Sequence, residues 1–399
     1  MDPSAALCIT YDSLKEIPPT PIHHINDGWY VNDTPYQLTP QYNLQSTTEN
    51  PPIVYVDTQR YQILQRVKDA FDTEGFIEAR DAMNPFEQIG KSIFINRAAV
   101  KLANIDAVHH VTKDIFMFNK KQSDQAFTFC DVAAGPGGFT QYMQYRYPAA
   151  IGYGMTLRDD KLDWSTKFLD MNRFTAFYGP DNTGNLCTNW DPFIKFVLSQ
   201  QPNGVDLVTA DGGFDLDDPN DKTLLHRQEF LSSCLLLSEV LIGISCARIG
   251  GNFVLKVFDT VTTVSAHTLF ILTQCFDRIL IFKPITSRPA NAERYVICIG
   301  RKPDVQPYYQ LLAQAATVYQ PNLYLSSLFQ EQLPGTFEQW LTSSNQQSIN
   351  GQLQAAQHIL LYLQGKPPDI SEYNIDKFLT IWNLPDTPIN PRTSKFGRI

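Results

Sequence analysis

Two lysines and two carboxylates in this sequence are placed to do chemistry: Lys101, Asp211, Lys256 and Glu293. Lys101 lies one helical turn past Asn96 in NRAAVKLANID. Asp211 ends the apolar run DLVTAD, Lys256 lies near the end of GGNFVLKVFD, and Glu293 stands at the mouth of the run that closes SRPANAERYVICIG. Gathered in one pocket, such a set removes a proton from a weakly acidic hydroxyl. A lysine acts as a base only when neutral, and a neighbouring ammonium favours the neutral form by like-charge repulsion. The expectation is that Lys101 lowers the pKa of Lys256, with Asp211 and Glu293 orienting the ammonium groups. Singly, each residue reads better as a solvated charge or a turn cap; only convergence gives the set meaning.

A second motif is the stretch FTFCDVAAGPGGF from Phe127 to Phe139. An apolar run ends in Asp131, then a turn through Ala133, Ala134, Gly135, Pro136, Gly137 and Gly138 leads into a helix at Phe139. Glycine, lacking a Cβ, lets the backbone turn tightly and approach a ligand closely. The pattern is not the G-x-G-x-x-G fingerprint that seats a pyrophosphate on a helix N-terminus. A D-x-A-x-G-P-G-G loop suits instead a small zwitterion, such as the methionine end of S-adenosylmethionine.

The elements that must position these residues follow from periodicity. Helical patterns span 59–72, 91–105, 138–147, 190–200, 224–248 and 263–275. Strand patterns span 127–132, 149–156, 174–178, 205–211, 252–258, 278–285 and 294–300. This alternation predicts an α/β, Rossmann-like fold: a mostly parallel seven-stranded sheet with helices on both faces. The last two strands lack a helix-length connection and are expected to pair antiparallel at an edge. Ligands of such sheets sit beyond the carboxyl ends of the strands, where Asp211 and Lys256 fall. Residues 1–58 read as an irregular arm rich in Pro, Thr and Asn, 59–304 as the catalytic domain, and 305–399 as a helical C-terminal extension.

Composition sets outer bounds. The chain has 399 residues, 43% of them apolar and 18% charged, with a net charge of −9. That balance argues against a broadly basic surface but not against a local basic track. The seven cysteines form no C-x-x-C pair and no His/Cys ligand spacing, so no metal is expected, and their scatter suits an intracellular compartment, cytoplasmic or nuclear. The N-terminus shows no secretory pattern. The most membrane-like run, Leu231 to Ile249, contains Glu239 and several serines and reads as a buried helix, so no membrane is expected.

Five ordered segments carry a family resemblance: GPGGF, GYGMTLR (152–158), ADGGF (210–214), GGNFVLKVFD and SRPANAERY (287–295). Together they resemble the RrmJ/FtsJ family of RNA 2′-O-methyltransferases over residues 78–301. FINRAAVKLANID (94–106) and SRPANAERY are similar to its cap-specific branch, which forms cap-1 on mRNA. The resemblance implies S-adenosylmethionine as cofactor and the 5′ end of capped mRNA as partner. It implies that Lys101, Asp211, Lys256 and Glu293 form the family's catalytic tetrad, with Lys256 as proton acceptor. Asn96, Asp131 and the loop residues Ala133 to Phe139 then match cofactor-binding positions, while Arg80, Arg288 and Asn291 match positions that meet capped RNA. Where the family carries an acid against the adenine, this chain has GNLC (184–187), and Asn185 is the candidate substitute. The short arm and helical tail resemble viral capping enzymes, which implies a cytoplasmic or virion setting, and offer surfaces for other capping or transcription proteins. An rRNA 2′-O-methyltransferase and a non-catalytic RNA-binding scaffold are the alternatives; the cap-branch motifs count against the first and the intact tetrad against the second.

For RNA, the expected track joins Arg278, Lys283, Arg288, Arg294, Arg301 and Lys302 to Arg80, Lys91, Arg97 and Lys101. Phe86 is the candidate ring for stacking on the cap guanine. The acidic run DLDDPND (215–221) lacks the glycine and closing glutamate of a calcium loop and reads as a flexible acidic loop. His109 and His110 read as surface residues.

Overall fold

Val205–Ala210 is buried along its whole length, as a strand covered by helices on both faces must be. It is the central strand, β6, of an eight-stranded sheet in the computed structural model, which describes residues 28–32, 34–46, 52–70, 75–87, 89, 94–112, 126–213, 227–318, 323–367 and 375–384. The strands in chain order are β1 (Tyr30–Val31), β2 (Pro40–Ser46), β3 (Thr128–Val132), β4 (Ile151–Met155), β5 (Phe174–Ala176), β6, β7 (Ala247–Val257), β8 (Phe276–Phe282), β9 (Arg294–Arg301) and β10 (Leu323–Phe329). The large sheet runs β1-β8-β9-β7-β6-β3-β4-β5. β7, β6, β3, β4 and β5 are mutually parallel, and β9 is inserted antiparallel between β7 and β8.

The helices are α1 (Thr58–Ala70), α2 (Phe76–Ala82), α3 (Arg97–His109), α4 (Gly138–Arg146), α5 (Leu186–Gln200), α6 (Gln228–Leu231), α7 (Ser233–Cys246), α8 (Thr263–Cys275), α9 (Gln306–Val318), α10 (Gly335–Leu363) and α11 (Ile375–Trp382). Two helix starts differ from the sequence reading because asparagines cap them. Asn96 accepts from Ala98 N, so α3 begins at Arg97; Asn185 accepts from Cys187 N, so α5 begins at Leu186. The predicted helix 224–248 is two helices interrupted at Ser232, and its last residues are already strand β7.

The arm read as irregular contributes strands. β1 adds an eighth strand beyond β8, and β2 pairs antiparallel with β10, a strand inside the tail read as helical. Arm and tail thus meet each other, and these parts of the extensions, expected to face other proteins, pack on the body. Tyr308, Leu312, Leu328 and Phe337 of the tail share one buried cluster with the sheet strands. Arg294 fastens the long tail helix directly. Fully buried, its guanidinium donates to Phe258 O (3.0 Å), Asp259 O (2.6 Å), Thr260 Oγ1 (2.9 Å), and on α10 to Ser344 Oγ (3.2 Å) and Asn345 Oδ1 (2.9 Å).

The pattern at Leu231 to Ile249 resolves as expected: α7 is buried nearly all round. Among the described residues no helix is long and apolar enough to cross a membrane.

Candidate active site

Strand register brings the four charged residues together. Ala210 of β6 lies beside Leu255 of β7, so Asp211 emerges next to Lys256, and Lys256 itself pairs with Tyr295 of β9. Lys256 Nζ lies 3.3 Å from Asp211 Oδ1 and donates to Asp211 O at 2.6 Å. Lys101, from the second turn of α3, reaches Glu293 at 2.7 Å. All four side chains are largely buried: Lys101 and Glu293 are 13% and 10% exposed, and Lys256 and Asp211 are each 12% exposed. They therefore form two ion pairs screened from water, where charge interactions are strong.

The electrostatics differ from the sequence expectation. Burial pulls the Lys256 ammonium down, but Asp211, Glu293 and Glu239 outweigh it and hold its pKa above the ordinary lysine value. Lys101 does not act on Lys256 as expected, because its ammonium is paired with Glu293. Burial pushes the Glu293 carboxyl up, yet Lys101, Lys256 and the Ser287 hydroxyl bring it far below the usual carboxylate range.

Several partners escaped the sequence reading. Tyr295 Oη donates to Asp211 Oδ1 at 2.7 Å, and Ser287 Oγ donates to Glu293 Oε1 at 2.6 Å. Both lie in SRPANAERY, so their spacing to Glu293 was the available signal. Lys283, expected on a basic surface, is buried. It donates to Asn291 O (2.7 Å), Asn291 Oδ1 (2.9 Å) and Glu293 O (3.0 Å), pinning the turn that delivers Glu293. Burial, opposed by Glu293, lowers its pKa to about 7. Three acceptors nonetheless call for three N–H bonds, which only the ammonium supplies.

The glycine loop begins beside the tetrad, since Asp211 N donates to Val132 O and Ala133 N to Met155 O. Ala133 has a φ of 51°, strained backbone for a residue with a Cβ. Its neighbour Asp131 is wholly buried. Its carboxylate accepts from Thr140 N, Thr140 Oγ1 and Thr209 Oγ1 at 2.7–3.0 Å, so it ties β3 to α4 and β6 from behind the loop. The glycines serve close approach within the protein. A Cβ on Gly135 would sit 1.6 Å from Leu162 O, and one on Gly137 (φ 107°) would sit 2.6 Å from Leu169 Cδ1. Gly138 leaves room for Asn96, whose Oδ1 would lie 2.2 Å from an added Cβ. Phe139 and Ala134 are buried beneath the turn. Trp164 packs against the same loop, and its buried indole Nε1 has no partner among the described residues.

Arg80 and Arg288 line one cleft together with Ala290 and, from α10, His358. Arg80 pairs with Asp81 at 2.9 Å, and Arg288 bridges Asp81 (3.5 Å) and Glu87 (2.8 Å), while Arg97 also meets Glu87. Three guanidiniums against two carboxylates leave one net positive charge at this corner. Among the described residues the longer basic track is not formed. Arg294 and Lys283 are buried. Arg278, opposite Ile299, and Arg301, opposite Phe276, lie at the end of the β8–β9 hairpin away from Glu293, and Lys302 donates to Asn32 O and Thr273 O there. Antiparallel pairing returns the two ends of the basic segment to one end of the sheet and carries its middle, with Arg288, to the other. Lys91 and the acidic run 215–221 lie outside the described residues.

Two further expectations are corrected. Phe86 is fully buried, packed edge-on against Phe378 at 5.3 Å and beside Trp382, so no base can stack on it. His109 is not a surface residue: its ring sits between Trp29 and Phe282, while His110 is exposed as the α3 C-cap.

The family model described as FtsJ-like methyltransferase matches residues 94–301, which include the glycine loop and all four tetrad residues. Three relatives share the name cap-specific mRNA (nucleoside-2′-O-)-methyltransferase 1. The one from Drosophila melanogaster is 39% identical over 57% of this chain and 29% of its own length. That from Danio rerio is 33% identical over 83% and 43%, and that from Mus musculus 41% over 61% and 30%. The chain thus spans less than half the length of these curated relatives. All three come from animals, and the likeness to viral capping enzymes is not borne out.

Proposed function

The chain belongs to the FtsJ-like methyltransferase family, and on that premise we propose that it transfers a methyl group from S-adenosylmethionine to the ribose 2′-hydroxyl of the first transcribed nucleotide of capped mRNA. The observation that carries the chemistry is the meeting of the Lys256–Asp211 and Lys101–Glu293 pairs beside the start of the glycine loop. The shared name of the relatives supports the capped substrate.

The residues present fit the cofactor. The turn from Ala133 to Gly138 offers close backbone approach at the strand ends, and Trp164 Nε1 adds a buried donor without a partner among the described residues. When bound, S-adenosylmethionine supplies an electrophilic methyl on a sulfonium. The amine form of Lys256 takes the 2′-hydroxyl proton as the oxygen attacks in line from roughly 3–3.5 Å. Asp211, held by Tyr295, orients Lys256, and Lys101 with Glu293 completes the wall. Arg80, Arg288 and Asn291 form the corner that receives the capped end, where the excess guanidinium suits a phosphate.

The test is transfer of labelled methyl to capped and uncapped RNA of one sequence, followed by nuclease mapping of the modified sugar. Preference for the capped RNA at moderate salt, with the label on the first nucleotide, supports the reading; equal use of both removes the cap assignment. Arg80→Ala is expected to lower kcat/KM for capped RNA about tenfold, because a charged hydrogen bond contributes ~1.5 kcal/mol when its guanidinium is shared with another acid.

Asn185 takes the place of the adenine-contacting acid. Its Oδ1 is committed to Cys187 N at 3.0 Å, which leaves a donor where the family presents an acceptor. Asn185→Asp keeps the helix cap and frees a second carboxylate oxygen. It is expected to tighten S-adenosylmethionine binding by roughly two- to tenfold, the value of one hydrogen bond. Asn185→Ala is expected to cost about 1 kcal/mol of stability through the lost cap. Calorimetry showing no gain for the aspartate would leave adenine recognition to the backbone.

A further inference from the structure

Three acids keep Lys256 in its ammonium form, and an ammonium has no lone pair with which to accept a proton. The base needs somewhere to send the proton it already carries. Besides the tetrad, Lys256 borders a small cavity whose lining includes Gly212, Glu229, Ser232, Glu239 and Ser265. It holds about 20 Å3 of room for water, enough for one molecule. Ser232 is 8% exposed and its Oγ has no partner among the described residues, so a polar atom faces this space unsatisfied. Glu239, 2% exposed, anchors the turn after Asp211 by accepting from Gly212 N at 3.1 Å.

We infer that Glu239, through a water held in this cavity, takes the ammonium proton of Lys256 and leaves it as the amine that serves as base. The inference rests on the 2′-O-methyl transfer reading above. An Nζ–H bond breaks as the water gains a proton, and a water O–H bond breaks as the Glu239 carboxylate gains one. Ammonium and carboxylate become amine and carboxylic acid, a neutral pair that a buried site favours. The amine then takes the 2′-hydroxyl proton as the methyl leaves sulfur, and Glu239 afterwards returns its proton to solvent. An ordinary glutamate, near 4.3, accepts a proton too weakly for this role. Burial, opposed by Lys256 and the Gly212 N–H, raises Glu239 to about 8. The other groups around the pair are fixed. Asp211 carries Tyr295, Glu293 carries Lys101, and Cys187 on α5 faces Glu239. Glu229 on α6 is engaged with Val261 N, Thr262 N and Thr262 Oγ1.

Single-turnover methyl transfer measured against pH tests the idea. Wild type is expected to rise to about pH 8, where Glu239 loses its own proton and can accept that of Lys256, and then to level. Glu239→Gln keeps an acceptor for Gly212 N but takes no proton. Its profile is expected to lie at least one pH unit higher, roughly tenfold slower at pH 8, and to close on wild type toward the ordinary lysine value of ~10.4. Ser232→Val, which fills the water site, is expected to move the profile the same way by a smaller amount. A profile displaced to lower pH would make Glu239 only an electrostatic weight on Lys256, and an equal loss at every pH only a structural prop; either overturns the inference. Infrared spectra supply a readout apart from activity. Burial also raises the carboxyls of Asp131 and Glu229, so the readout is the difference between wild type and Glu239→Gln at pH 7. It is expected to contain one buried carboxylic acid band, and a difference without that band would also overturn the inference. Absence of methyl transfer by wild type at every pH would instead defeat the functional reading itself.

Discussion

Lys256→Met is expected to lower methyl transfer by roughly 10³-fold, the middle of the range for a positioned general base, while S-adenosylmethionine binds within about threefold of wild type. Nζ of Lys256 contacts Asp211 and no atom of the glycine loop among its hydrogen bonds, so cofactor affinity should not follow it. Methionine keeps most of the apolar stem of this β7 residue, which limits the change to the lost charge. Removing that ammonium leaves Asp211, Glu239 and Glu293 with less compensation, and their repulsion is relieved by proton uptake. The variant should therefore remain folded near neutral pH. Lys256→Ala checks the result without a thioether in the pocket. Retention of activity within tenfold of wild type in both variants would remove Lys256 from the base role.

Seven of the eight strands of the sheet were legible because each is an apolar run, and the parallel order followed from helices between strands; the two-residue β1 was too short to show. The tetrad was legible for a related reason: Asp211 and Lys256 end adjacent parallel strands, so pairing alone brings them together. Their mutual electrostatics were not legible. Whether Lys101 acts on Lys256 or on Glu293 depends on a side-chain reach that no spacing encodes. Glu239 stood in an apolar helix, where a lone acid signals a buried role, yet only the fold shows that this role is at Gly212. The basic track failed differently. Counting charges from Arg278 to Lys302 ignores that a hairpin reverses direction between them, so the two ends of the run meet at one end of the sheet while its middle lies at the other. Phe86 failed because aromatic composition does not distinguish a stacking platform from core. Its cover comes from α11, nearly 300 residues later in the chain. The pairing of β2 with β10 is equally distant, and neither segment alone alternates strongly enough to announce a strand.

Gly135→Ala is expected to weaken S-adenosylmethionine binding by more than 100-fold. The cause is not a clash with the ligand. The added Cβ would lie 1.6 Å from Leu162 O and 2.9 Å from Thr156 Oγ1. A backbone oxygen cannot swing aside as a side-chain tip does, so the loop itself must move away from the segment after β4. Its entry is fixed, because Asp131 is tied to Thr140 and Thr209 and Ala133 N to Met155 O. Displacement is therefore confined to the turn between Ala134 and Gly138, the part that would hold the zwitterion. Forcing atoms into a filled space costs about 1–3 kcal/mol, so a lower Tm should accompany the lost affinity without abolishing the fold. Gly335→Ala is the matched control, since nothing lies within 4 Å of the Cβ it would add; it should bind as wild type does. Calorimetry at 25 °C on folded protein decides the matter. A folded Gly135→Ala variant with wild-type affinity would remove this loop from the cofactor site, and with it the physical basis for placing the methyl donor beside Lys256.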